Sequence, residues 1–106
     1  IQKATKFIRE NYKEKLTLDM IARSVAVTSG YLQRLFRENC KTSVIEYLIR
    51  YRMEVACKLL VETDTSVQEI SFLVGYSDVK NFHYRFKQIF GITPLQYRSN
   101  YKKEET

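Results

Sequence analysis

The feature that most constrains this chain is an internal repeat about fifty residues long. The segment TLDMIARSVAV (17–27) matches SVQEISFLVGY (66–76) at a shift of 49, and SVIEYL (43–48) matches TPLQYR (93–98) at a shift of 50. A 106-residue chain that carries the same half twice has room for one compact domain or for two very small lobes sharing an element. In each copy a short stretch with a small residue near its middle (Ala22, Ser71) leads to a second small residue at a turn (Ala26, Gly75). A longer stretch follows, with apolar positions Leu32 and Phe36 in the first copy and Phe82 and Phe86 in the second. Two helices that cross at roughly 90–120° over a three-to-four-residue turn approach too closely for large side chains at the crossing. Each half therefore reads as a helix-turn-helix. An ordinary helical hairpin can imitate one such pattern, but two in tandem are far more specific.

Periodicity extends the helical reading along the whole chain. Ile1, Ala4, Ile8 and Tyr12 recur at helical spacing, and Thr17 is placed to cap a short helix from Leu18 to Val25. Thr28 or Ser29 caps the next helix, which runs to about Asn39 with Leu32, Leu35 and Phe36 on its core side. Ser43, with Glu46 three residues on, has the pattern of a capping box and opens the longest segment, to about Val61. At 1.5 Å per residue this segment is a rod on the order of 28 Å long. Ser66 with Glu69 is a second capping box, for Val67 to Val74, and Asp78 caps a helix to about Phe90. Gly91 suits a left-handed stop, and Thr93-Pro94 suits a new cap and first helical position. SNYKKEET reads as a frayed, solvated tail. The expected fold is all-α with seven helices: a first lobe over about 1–42, a linking helix over 43–62, a second lobe over 63–100 and a tail at 101–106.

Charge is concentrated on the second helix of each pair. The net charge is +6; residues 29–41 contribute +2 of it and residues 79–91 contribute +3. That concentration points to a polyanion, and double-stranded DNA is the partner a helix-turn-helix suits. With 44% hydrophobic residues, including eight Tyr and six Phe, the chain can bury a real core. No apolar run approaches the ~20 residues of a membrane span, so no membrane partner is expected. Cys40 and Cys57, with the single His83, are too few for a zinc site; two buried thiols in a reducing cytoplasm is the expected state. No cofactor is expected, nor an enzyme, because no nucleophile–base pair, metal cluster or phosphate loop can be assembled.

A reading helix places its N-terminal half in the major groove and contacts bases from the face opposite the core. In the first lobe that face is Ser29, Gly30, Gln33, Arg34 and Arg37; in the second it is Val79, Lys80, His83, Tyr84 and Lys87. The candidates for base reading are Ser29, Gly30, Gln33, Arg34, Val79, Lys80, His83 and Tyr84. The planar fork of Arg34 suits guanine O6 and N7, Gln33 suits adenine N6 and N7, and Val79 suits a thymine methyl. Arg37 and Lys87 lie deeper along their helices, where phosphates are expected, joined by Lys41, Thr28 and Asn81. The helix starts at Thr17, Ser43, Ser66 and Thr93 can offer backbone N–H groups to phosphates.

These residues resemble the DNA-binding domain of the AraC/XylS family of bacterial transcription regulators. The resemblance runs from about Ile8 to Arg98 and is most specific in ISFLVGYSDVKNFHYRFKQIFGITPLQYR; SGYLQRLF and EYLIRYRMEVACKLL carry it in the first half. It implies two helix-turn-helix lobes joined by one long helix, attached to a separate sensing, dimerisation or receiver domain. Three positions depart from the family pattern: Lys41 stands where Gly is usual, Gly30 offers no side chain to a base, and Tyr84 stands where Arg is frequent. The implied function is sequence-specific binding of two adjacent major-groove segments in the cytoplasm, regulating transcription, with activation the expected direction. Adjacent segments lie about 34 Å apart, so a rigid link implies a bent site or unequal lobes. The competing reading is a protein-interaction module whose basic helices dock on an acidic partner such as RNA polymerase. Any dimerisation is expected to come from a domain outside this chain.

Overall fold

In the computed structural model, which describes residues 1–102, the chain forms α1 (Gln2–Asn11), α2 (Leu18–Ser24), α3 (Ser29–Cys40), α4 (Val44–Glu62), α5 (Val67–Leu73), α6 (Val79–Phe90) and α7 (Pro94–Tyr101). The fold is all-α, with seven helices and no strand among the described residues. Two compact units divide at Tyr51–Arg52, inside the uninterrupted α4. The long helix is thus more than a link: Val44 and Leu48 belong to the core of the first unit, while Met53, Ala56 and Leu60 are buried residues of the second.

Helix starts follow the polar residues that precede them. Thr17 Oγ1 accepts from the Met20 N–H (3.2 Å), Thr28 Oγ1 from Tyr31 (3.2 Å), Ser66 Oγ from Glu69 (3.1 Å) and the Asp78 carboxylate from Lys80 (2.9 Å). Each cap satisfies a donor that has no intrahelical acceptor, and truncating one costs ~1 kcal/mol. The reciprocal capping box is realised at Thr93, whose backbone N–H donates to Gln96 Oε1 at 2.9 Å. At the start of α4 the expected box opens differently. Ser43 Oγ accepts from Glu46 N–H at 3.1 Å, but the Glu46 carboxylate takes the hydroxyl of Thr42 at 2.9 Å.

Both helix-turn-helix turns close in the same way. The Val27 N–H reaches back to the Ala22 carbonyl (3.1 Å) and Ala26 N–H to Arg23 (3.1 Å); in the second unit Tyr76 N–H reaches Ser71 (2.9 Å) and Gly75 N–H reaches Phe72 (3.1 Å). This pairing of a long and a short return bond is a Schellman motif, which needs a left-handed residue just past the helix. Ala26 fills that position at φ 58° and Gly75 at φ 102°. The same contrast recurs after α3 and α6, where Lys41 sits at φ 58° and Gly91 at φ 78°. The left-handed region costs a side-chain-bearing residue roughly 1–2 kcal/mol and glycine nothing comparable. The crossing residues Ala22 and Ser71 are buried, and the Ser71 hydroxyl donates to the Gln68 carbonyl at 2.6 Å.

The cores differ in kind. The first unit buries mainly aliphatic residues around Phe36, with Tyr47 edge-on to it at 5.7 Å. The second is built on a run of rings: Tyr76–Phe82 (5.6 Å), Phe82–Phe86 (5.9 Å), Phe86–Phe90 (4.6 Å), Phe86–Tyr97 (5.6 Å) and Tyr97–Tyr101 (4.6 Å). That run corrects the expectation of a frayed tail from Ser99. Helix α7 continues through Tyr101, and Lys102 Nζ donates to the Thr63 carbonyl (3.0 Å) and pairs with Asp64. The remainder of the expected tail, 103–106, lies outside the described residues. Arg98 binds the other end of the same turn: Nε donates to the Leu60 carbonyl at 3.0 Å and the guanidinium also reaches the carbonyls of Thr63 and Thr65. It therefore closes the C-terminus of α4, where acceptors lack intrahelical donors and the helix dipole is negative.

Two stability measurements check this account. Lys41→Gly and Ala26→Gly should each raise the free energy of unfolding by roughly 0.5–1 kcal/mol in urea titrations, because both relieve a left-handed side-chain-bearing residue. Arg98→Ala should lower it by about 2–3 kcal/mol, since charge-assisted bonds to three part-buried carbonyls are lost together.

Candidate nucleic-acid interface

The second helix of each motif, α3 and α6, buries one apolar face and exposes a basic one. Leu32 and Phe36 are buried on α3, and Phe82 and Phe86 on α6. Leu35, expected in the core, is half-buried, and Phe90, expected beside Phe86, packs its ring on Phe86 and Tyr97 while remaining 36% exposed. On α3, Gly30, Arg34 and Arg37 are exposed; on α6, Lys80, Asn81, Tyr84 and Lys87 are exposed and Val79 and His83 half-buried. The helix periodicity that set the cores thereby fixes the two outward faces.

Individual residues on these faces are not equally free. The guanidinium of Arg34 lies over the ring of Tyr31, 5.6 Å from its centroid, and Tyr31 is 45% exposed. Sequence reasoning passed over Tyr31; the available signal was an exposed aromatic three residues before an arginine on one helix, the spacing at which such side chains meet. Tyr84 is 61% exposed and its hydroxyl accepts from Gln88 Nε2 at 2.8 Å. Gly30 has open space where a Cβ would point, with nothing within 4 Å.

Two of the expected base readers are engaged inside the protein, which corrects the picture of a uniformly free face. The Ser29 hydroxyl donates to the Asp19 carboxylate of α2. This bond ties the head of the reading helix to the helix that crosses it. Gln33 Oε1 accepts from the backbone N–H of Val44 at 2.9 Å, satisfying the first residue of α4. That bond takes one of the two lone pairs of the carbonyl and holds the amide toward α4.

The residues expected at phosphates fall into two sets. Arg37, Lys41, Asn81 and Lys87 are exposed side chains. Thr17, Thr28, Ser43, Ser66 and Thr93 are all occupied as acceptors at helix starts. A hydroxyl that accepts from the backbone keeps its own proton for a phosphate oxygen, so capping and phosphate contact are compatible.

Other chemistry finds little footing. Cys40 and Cys57 are free and half-buried rather than fully buried. Burial pushes the Cys57 thiol above its ordinary value against a smaller lowering by its hydrogen bond to Tyr97, opposite to what activates a nucleophile. Among the described residues no group of three or more His, Cys, Asp or Glu is placed to hold a metal, and no helix is long and apolar enough to cross a membrane.

Two helix-turn-helix units, each presenting an exposed basic helix on an apolar support, define a tandem helix-turn-helix DNA-binding domain. A family model described as a helix-turn-helix domain matches residues 21–100. The lactose operon transcription activator of Staphylococcus xylosus is 39% identical over 101 residues, covering 95% of this chain and 36% of that protein. The C-terminal domain of AraT, a response regulator from Geobacillus stearothermophilus, superposes with a TM-score of 0.93 at 32% identity, covering 98% of this chain and 87% of that one. A transcriptional regulator from Chromobacterium violaceum with an AraC-type DNA-binding domain gives a TM-score of 0.89 at 29% identity, covering 98% and 93%. The chain belongs to the AraC/XylS family of helix-turn-helix DNA-binding domains. It spans about a third of the length of most of the curated relatives it matches.

The open space at Gly30 gives a direct check on the first reading helix. Gly30→Ala should raise the unfolding free energy by roughly 0.5–1 kcal/mol, the intrinsic helix preference of alanine over glycine, as read by thermal denaturation.

Proposed function

We propose that this chain is the DNA-reading part of a cytoplasmic transcription regulator and binds double-stranded DNA with sequence preference, α3 and α6 entering successive major-groove segments. The observation that carries the reading is the Arg34 guanidinium held over Tyr31 on an exposed, otherwise basic helix face. A guanidinium steadied by an aromatic ring loses less side-chain freedom on docking, and its two parallel donors match guanine O6 and N7. On α6, Lys80, His83 and Tyr84 are the base-facing candidates, with Val79 beside them for a thymine methyl. Arg37, Lys41, Asn81 and Lys87 serve the phosphate backbone together with the capped helix starts. Gly30 contributes close approach rather than a side chain.

Activation is the direction we favour, because the Staphylococcus xylosus relative is a lactose operon transcription activator. A domain outside this chain would then supply sensing and any dimerisation. A second surface supports contact with RNA polymerase alongside DNA. Phe72 and Leu73 on α5 are 49% and 41% exposed, at the positions where the first unit carries Arg23 and Ser24. Exposed neighbouring apolar side chains suit a protein partner better than a phosphate backbone.

Selection of bound duplexes from a random pool, followed by salt titration, tests this reading. Arg34→Ala should cost ~1–3 kcal/mol and relax preference at one base pair. Lys87→Ala should weaken all duplexes alike and lower the slope of log K against log salt by about one. Binding that ignores both sequence and salt would leave the protein-docking surface as the main function.

A further inference from the structure

Gln33 and Val44 form a hydrogen bond that the second half of the repeat cannot form. At the shift of fifty, Gln33 corresponds to His83 and Val44 to Pro94. Val44 begins α4, and its N–H is one of the donors a helix leaves without an internal acceptor. Gln33 Oε1 accepts it at 2.9 Å. Pro94 begins α7 and has no N–H to satisfy. An amide carbonyl therefore stands where a helix start presents a donor, and an imidazole where it does not.

This bond limits what Gln33 can say to DNA. Recognition of adenine by glutamine needs the carbonyl to accept from N6 while the amino group donates to N7. The Gln33 carbonyl is held by the Val44 N–H and keeps one lone pair, so adenine N6 can reach it only alongside that bond, whereas the amino group has no partner among the described residues. Gln33 sits immediately before Arg34, half-buried at the edge of the exposed face. We infer that Gln33 reads a keto base, guanine or thymine, through its amino group alone, with the amide held by the Val44 N–H. Guanine offers O6 and N7 and thymine offers O4, all acceptors; adenine sets an unmatched N6 donor beside its single acceptor. Gln33 is thus a positioning residue for α4 and a donor-only reader at once.

The inference rests on α3 reading DNA, and three variants of the 106-residue chain separate the two ideas. Gln33→Glu keeps an acceptor for Val44 and removes both amino donors; Gln33→Met removes both functions. Duplex selection, the Tm and the hydrogen-exchange protection of the Val44 amide are measured for each, with Arg34→Ala as the control. Wild type should select guanine or thymine at the pair that responds to position 33. Gln33→Glu should keep the Tm and the Val44 protection while losing that preference or moving it to cytosine, whose N4 donates. Gln33→Met should lose preference, protection and some Tm together. Selection of adenine at that pair overturns the inference, as does a Gln33→Glu profile identical to wild type while Arg34→Ala relaxes another pair. If Arg34→Ala and Gln33→Glu both leave selection unchanged, DNA reading by α3 falls and this inference with it.

Discussion

Each helix-turn-helix depends on one backbone bond that spans five residues, Val27 to Ala22 in the first unit and Tyr76 to Ser71 in the second. That bond forms only if the residue before its donor is left-handed, which is why Ala26 and Gly75 carry positive φ. Once formed, it sets where the chain leaves the first helix and so where the second can begin. The crossing then brings Ala22 or Ser71 against the neighbouring helix with no room for a longer side chain. The apolar residues three and four apart on α3 and α6 decide which face turns inward, and the basic residues are left outside. The interface is thus a consequence of turn closure rather than a separately built site.

The two units meet this constraint with different materials. The first places Ala26 and Lys41 in left-handed positions and fills its core mainly with aliphatic side chains; the second uses Gly75 and Gly91 and a run of rings. A side-chain-bearing left-handed residue is tolerated when surrounding bonds over-determine it. The first unit has such bonds in the Asp19–Ser29 and Gln33–Val44 pairs, both of which tie α3 to a neighbouring helix. The polar residues that restrain α3 are therefore drawn from outside its buried apolar face.

This overlap explains what the sequence did and did not make legible. Helices, caps and turns follow short-range rules, so Thr17, Thr28, Ser66, Asp78 and the left-handed Gly91 could be placed from residues within a few positions of each. The family resemblance rested on the same local spacing. The uses of Ser29 and Gln33 depend on residues ten and eleven positions away, and the attachments of Arg98 and Lys102 on residues 33 to 39 positions away. Polar composition made Ser99–Lys102 read as solvated tail: the i,i+4 spacing of Tyr97 and Tyr101 was local but outweighed, and nothing local reveals that α4 ends in carbonyls needing a cation. Tyr31 was missed for a different reason: the hydrophobic periodicity that marks cores passes over an exposed aromatic, although its spacing of three from Arg34 was legible.

The internal repeat, which suggested two like folds of unequal reading power, becomes more informative where its halves differ. Corresponding positions on the two outward faces are not equally free, since Gln33 is bonded to the first residue of α4 while the residue corresponding to Val44 is a proline. His83 is released from the duty that Gln33 performs. On the first unit's outward face the side chains without such a tie narrow toward Arg34 and Tyr31, which lie against each other. The second keeps Lys80, His83 and Tyr84 on a face whose helix is capped by Asp78 and supported by rings. The two lobes therefore differ in how much of their polar inventory the fold itself has already used, which a comparison of exposed residue types alone does not reveal.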